Sequence, residues 1–594
     1  MTTLRPPCDE GVVLAAKPCP PPGAPAGAPA VPGQAPEGLP AGAAAAPPGG
    51  WVLAATILGS SMAFVDGTAV NVALPALQRD LGATVGDVQW VVEGYALMLA
   101  ALLLVGGALG DRYGRRALFM AGVGCFALAS AACGLAPGIG WLIAARVVQG
   151  ASAALLVPGS LAILSAVFPP ESRGRAIGTW SAFTGVTAAI GPLLGGWLVD
   201  HGSWRWVFFL NLPLAAAVVG ISAWRVPESR DPEAPRHLDW GGAALATLGL
   251  AGVTYGLIEL PQGGAVRTAA LLALAAGVAA LGGFVAVEAR ARAPMMPLGL
   301  FRSRTFAGAN LLTLCLYAAL GGALFFLPFD LIQVQGFSAA AAGAALLPFI
   351  GLMFLLSRWA GGLVDRYGPR LPLVVGPTVA AAGLAMFSLA GTGAGYWGSV
   401  FPAVTVLGLG MAVSVAPLTT TVMGAVDSRH AGLASGINNA VSRVASLLAV
   451  AAFGLVVLGA FERGLDRRLA RLDLPPSARA AIAAQRLRLG AVEVPADLDP
   501  ARRERARHAV ADSFVDGFRL AMLIGAALAL LAAGAAARTI DGRSGRLAPA
   551  GQPVPPDPAA GAAAGHPGGP HPAAGTEGVA ARGEPSGVSA PVSS

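Results

Sequence analysis

Fourteen long apolar runs recur between Trp51 and Ala537, broken by short polar stretches. Each is near the ~20 residues that cross a hydrocarbon core as helix. Their centres lack the strict two-residue alternation of a membrane barrel strand, so the runs predict helices. The predicted spans are 51–75, 88–110, 116–136, 139–167, 175–199, 204–224, 241–261, 268–288, 305–329, 339–364, 370–391, 396–424, 431–460 and 515–537. Residues 1–50 and 538–594 are rich in Pro, Ala and Gly without apolar periodicity, and they read as disordered tails.

The polar breaks orient the bundle. Loops after even-numbered spans carry Arg112, Arg115 and Arg116, then Arg173 and Arg175, Arg225, Arg230 and Arg236, Arg290, Arg292, Arg302 and Arg304, and Arg366 and Arg370. Loops after odd-numbered spans are mostly short and poor in arginine. By the positive-inside bias, the even loops and both tails face the cytoplasm of a multi-pass protein of the plasma (inner) membrane. The segment 461–514 is an exception, being outside yet arginine-rich (Arg467, Arg468, Arg502, Arg503, Arg505). Long segments obey the bias weakly. Its mixture of Ala, Leu, Arg and Glu predicts short amphipathic helices at the outer surface.

A repeat sets the architecture. The stretch from Gly107 through Asp111, Arg112, Gly114, Arg115 and Arg116 ends span 2, and it reappears as Gly361 through Asp365, Arg366, Gly368 and Arg370 at the end of span 10. An offset of eight spans equals a six-helix half plus two inserted helices, and an even offset keeps both copies on one side. The expected all-α membrane fold has halves at 51–224 and 305–537, with an inserted pair and its loops at 225–304.

Composition narrows the function. Hydrophobic residues make up 55% and charged residues 12%, against roughly a quarter charged in soluble domains. The only lysine, Lys17, lies in the first tail, which excludes a P-loop and with it an ATP-driven pump of that type. Arginines confined to short loops argue against nucleic-acid binding. Cys8 and Cys19 lie in the tail, while Cys125, Cys133 and Cys315 lie in apolar runs and read as buried small hydrophobes. His201, His430 and His508 are scattered, so neither metal nor cofactor is expected.

The loop after span 2 resembles the signature loop of the major facilitator superfamily. Three further stretches resemble its fourteen-span drug:proton antiporters, the EmrB/QacA group. They are Val65-Asp66-Gly-Thr-Ala-Val-Asn71 through Pro75 in span 1, Leu142 through Arg146 to Gln149-Gly150 in span 4, and Gly185-x5-Gly191-Pro192-x2-Gly195-Gly196 in span 5. The spacing from Gly185 is one residue longer than the strict pattern. Trp204 through Asn211 to Pro213 is similar to the same family's span 6. The resemblance implies export of a small hydrophobic or amphipathic molecule in exchange for protons by a monomer in the lipid bilayer, with any accessory envelope partner unidentified.

The residues carry their own physics. Asp66 lies well inside an apolar run, where an ionised carboxylate costs at least ~2.5 kcal/mol, so it faces the interior, pairs, or carries a proton. Glu93, in Trp90-Val-Val-Glu93-Gly-Tyr95, is a second such acid about one turn into span 2, unless it sits solvated at the outer interface. Arg146 is the interior counter-charge; it can set proton affinity, form a structural pair with Asp66, or bond backbone carbonyls. Asp66, Glu93, Trp90, Tyr95 and Asn71 are the candidate substrate contacts. Glu259 and Asp330 sit near span ends at the outer interface. Gly107 permits close helix approach, Gly114 makes the turn, and Asp111 is placed to meet a helix N-terminus or an arginine across the halves, a latch made in one state and broken in the other. Such arginines also simply hold a loop in the cytoplasm. Gly191-Pro192 bends span 5 and packs it closely; the resemblance implies a seal against leakage.

Two rivals are an importer on the same fold and a multi-span enzyme. A non-transporting sensor is a third. The span 5 motif and the inserted pair argue against import, and the long segment 461–514 shows no paired acids at a catalytic spacing. Substrate charge stays open: Asp66 and Glu93 admit a cation, whereas spans 10 and 13 hold no acid and Arg443 leaves room for neutral or anionic compounds.

Overall fold

The computed structural model describes residues 49–541 except 232–238, 262–263, 292–293, 394 and 428–430. Both tails beyond those limits, with Lys17, Cys8 and Cys19, lie outside the described residues, as do Arg236, Arg292 and His430. Fourteen described helices are long and apolar enough to span a membrane.

Spans 1 to 6 are Gly49–Asp80, Val85–Tyr113, Arg115–Gly134, Ile139–Val167, Pro170–His201, and Trp206–Phe209 with Asn211–Arg225. Spans 7 and 8 are Trp240–Glu259 and Gly264–Glu288. Spans 9 to 12 are Arg304–Phe329 with a π-turn Asp330–Val334, Ala339–Ala344 with Leu347–Gly361, Arg370–Phe387, and Tyr396–Val400 with Phe401–Gly424. Spans 13 and 14 are Ala431–Arg471 and Pro500–Thr539. The face where span 1 begins is called near, and the opposite face far.

Spans 1 to 6 pack among themselves, as do spans 9 to 14, and the inserted pair lies outside both. Span 7 rests on span 2 of one half and span 13 of the other, covering the seam where these two helices meet. Glycines set that hairpin: a Cβ on Gly252 or Gly256 would run into the backbone of span 8 at Ala273 or Ala270.

Several expectations change. Span 1 continues through Pro75 to Asp80. Leu77 and Gln78 are buried there, at 0% and 2% exposure, so packing sustains the helix beyond the missing amide donor. The two ends of the expected outer segment 461–514 are extensions of the spans themselves. Span 13 runs on to Arg471 and span 14 begins at Pro500. Phe461, Leu465 and Leu469 are buried, as are Ala506, Val510 and Phe514. A four-residue spacing on each helix makes one apolar stripe, and Arg468 pairs with Asp516 at 2.8 Å. Only Pro476–Ala484 and the 3-10 turn Arg486–Ala491 are short helices.

Close approach of spans 2 and 4 belongs to Gly106, whose Cβ would enter the Ala154 carbonyl; at Gly107 an added Cβ would make an ordinary 3.6 Å contact. Gly114 does make its turn, at φ +120°, and Gly368 does so in the second copy at φ +74°. Cys125 is exposed rather than buried, whereas Cys133 is buried.

Candidate functional site

Four helices of the first half converge on Asp66, which is wholly buried beside a 1% exposed Arg146. Arg146 Nη1 donates to Asp66 Oδ2 at 2.5 Å and to Gln149 Oε1 at 2.7 Å. Gln149 Nε2 and Asn211 Nδ2 donate to Asp66 Oδ1 at 2.9 and 3.2 Å. Ser130 accepts from both amides, at 3.3 and 3.0 Å, and donates to the Phe208 carbonyl at 2.8 Å. The carboxylate thus receives three hydrogen bonds from spans 4 and 6, enough to hold an ion away from water.

Arg146 also reaches span 2. Its Nε donates to the Val91 carbonyl at 2.9 Å, and its guanidinium lies 4.3 Å from the Tyr95 ring centroid. Both structural readings of Arg146, ion pair and carbonyl donor, therefore hold together. Span 4 can approach this closely because of Gly150, where a Cβ would meet the Tyr95 backbone.

Glu93 is separate. It is 1% exposed, so it is not solvated at the outer interface, and its Oε2 has no hydrogen-bond partner. At 100° per residue it lies across span 2 from Val91, on the face of Gln89 one turn away. Gln89 Nε2 donates to the Val450 carbonyl of span 13 at 2.7 Å. Glu93 therefore belongs to the seam between halves, while Asp66 belongs to the interior of one half.

A cavity of about 170 Å³ opens beside that seam, lined by Asn71, Val92, Tyr317, Phe325, Ser446 and Val450 among others. Asn71 donates to the Gly67 carbonyl at 3.3 Å and leaves Oδ1 as an unpaired buried acceptor. Trp90 points elsewhere: its indole donates to Glu259 Oε1 at 3.2 Å and packs on Tyr255 of span 7. Asp330 is 3% exposed and accepts weakly from Gln335 at 3.5 Å. It is buried near the far face, not at an interface. Arg443 donates to its own helix neighbour Asn439 at 3.1 Å.

The span 2–3 loop is pinned within its own half. Asp111 pairs with Arg115 at 2.8 Å. Glu228, after span 6, accepts from the amides of Arg116 and Ala117 at 3.0 Å each, so it caps span 3. Arg112 lies over Tyr113, and Arg366 over Tyr367 beside Asp365 in the second copy.

At the far face the halves close. Gly191 and Gly195 admit Thr68 and Ala69 of span 1, while Gly196 meets the Ala339 backbone and Gly343 meets that of Pro192. Gly185 faces open space. Gln333 Nε2 donates to Gln78 Oε1 at 2.9 Å, and Gln78 donates to the Arg488 carbonyl at 3.3 Å.

Sequence reasoning singled out Asp66, Arg146 and Glu93 but missed Ser130, which joins the two amides that hold Asp66. Gln149 and Asn211 stand inside the quoted motifs; their type, amides in apolar runs, is the signal that marks them as partners. Glu228 has no such signal.

The family description "Major Facilitator Superfamily" matches residues 56–450. The Tetracenomycin C resistance and export protein of Streptomyces glaucescens is 37% identical over 517 residues, covering 85% of this chain and 94% of the relative. The Multidrug resistance protein Stp of Mycobacterium tuberculosis is 36% identical over 491 residues, covering 80% and 89%. Among solved structures, a bacterial homolog of the human lysosomal transporter Spinster superposes with a TM-score of 0.56 at 18% identity, over 83% of this chain and 98% of that one. That last likeness concerns the fold alone.

Proposed function

The chain belongs to the major facilitator superfamily, and from that premise we propose that it exports drugs or secondary metabolites from the cell in exchange for protons. The observation that carries export is the similarity to resistance and export proteins over nearly their whole length. Proton coupling rests on the buried Asp66–Arg146 centre.

The near face is cytoplasmic in this reading, and the closed far face makes this the inward-open state. Substrate enters the cavity at Asn71 and Tyr317 from the cytoplasm or the inner leaflet. The proton path runs through Asp66. A proton there cancels the charge that holds Arg146, and Arg146 grips span 2 at Val91 and Tyr95. Span 2 is the helix that meets the other half through Gln89. Proton load is thereby transmitted to the seam by a continuous set of contacts. The membrane potential adds ~2.3 kcal/mol per charge per 100 mV. The loop at Asp111 and its repeat at Asp365 form the cytoplasmic latch of the opposite state, released here.

The test is Asp66→Asn, which keeps the shape and removes the titratable group. At equal abundance in everted vesicles, the variant is expected to lose drug-dependent proton release and efflux. Wild-type rates of both would end the antiport reading.

A further inference from the structure

The structure holds a contact between a carboxylate and a helix N-terminus across the two halves, at the far face and not at Asp111. Asp200 is the penultimate residue of span 5 and is exposed. Its two oxygens accept from the amides of Ala339 and Ala340, at 3.0 and 2.8 Å. These are the first two residues of span 10, in the other half. The first four amides of a helix lack partners within it. Ser338 supplies the local cap by accepting from Ala341 at 3.2 Å, so a residue of the opposite half satisfies two of the remaining donors. The negative charge also meets the positive end of the helix.

We propose that Asp200 is a positioning residue of the transport cycle: an extracellular latch that favours the inward-open state. This rests on the alternating-access reading above. When the far face opens, span 5 leaves span 10, and both amides must turn to water. The backbones already touch at Gly196 with Ala339 and at Gly343 with Pro192, so the latch closes only when those surfaces seat fully. A carboxylate acts over that last approach because it must reach two amides at once.

The test reads far-side access to the cavity. Ser446, a cavity-lining residue, is replaced by cysteine in a chain whose native cysteines are serine. Right-side-out vesicles are then labelled with a membrane-impermeant maleimide. Asp200→Ala is expected to speed labelling by roughly two- to fivefold, the weight of an exposed charge at a helix end. Ala339→Pro attacks the latch from the other side. Proline is accepted at a first helical position, and Ser338, at ψ 160°, already has the conformation that precedes proline. It removes one donor, so faster labelling is expected there too, and it serves if Asp200→Ala fails to reach the membrane. Asp200→Asn, which keeps one acceptor, should fall between. Parental labelling rates in the alanine and proline variants overturn the latch if substrate or a proton gradient still changes the rate. If no condition changes it, alternating access fails, and the latch falls with it.

Discussion

Asp66 and Glu93 are two buried acids on neighbouring helices with opposite surroundings. Asp66 is compensated by an arginine and two amides, whereas Glu93 Oε2 meets no donor. An uncompensated carboxylate at a seam is available to a proton or a cationic group of a substrate. Glu93→Gln is therefore expected to leave abundance and the export of neutral compounds intact. Export of cationic compounds should fall roughly tenfold or more, as loss of a charge-assisted contact implies. A panel of charged and neutral dyes in an efflux-deficient host measures this, and an equal loss for both classes would refute it. Both acids were legible from the sequence, because charge inside an apolar run is conspicuous. Their separation was not. It depends on which side of span 2 each neighbour occupies, and the contacts that fix it, Val91 to Arg146 and Gln89 to Val450, join residues 55 and 361 positions apart.

At the scale of elements, glycine does most to set distances. The span 5 motif was readable as a close-packing stretch, but its partners were not. Gly191 and Gly195 serve span 1, while Gly196 serves the opposite half. A Cβ on Gly185 would meet no neighbour. Gly343→Ala would push a methyl into the Pro192 carbonyl, an overpacking worth ~1–3 kcal/mol against the far-closed arrangement. It should increase far-side labelling of the same cavity cysteine and slow export, whereas Gly185→Ala should do neither. Equal behaviour of the two variants would contradict this account of the far gate. Spans 13 and 14 teach the opposite lesson. Their extensions hide among charges, since the apolar stripe of Phe461, Leu465 and Leu469 is interleaved with arginines, and a hydropathy window averages it away. A four-residue period was present and marks the helices once pairs such as Arg468–Asp516 are known.

For the whole molecule, the repeated loop announced two related halves, and the repeat is accompanied by division of labour. The buried ionic centre is in the first half. In the second half, Asn438 donates to Asn310 and Thr313 at 3.2 and 2.6 Å, a neutral cluster. Motion of one half against the other must break the Gln78–Gln333 contact. Cysteines at both positions, joined by a short bifunctional maleimide, are expected to stop transport, while the unjoined pair transports. Continued transport by the joined protein would show that the halves need not part there. The extension of span 13 at the far face has a mechanical side. Span 13 is 41 residues long, roughly 60 Å of helix at 1.5 Å per residue, about twice the hydrocarbon thickness. Its tip is a lever arm. A ten-degree swing of its half displaces a point ~45 Å up that helix by roughly 8 Å, so a fluorophore at Arg471 would report each turnover as an optical displacement at the far face.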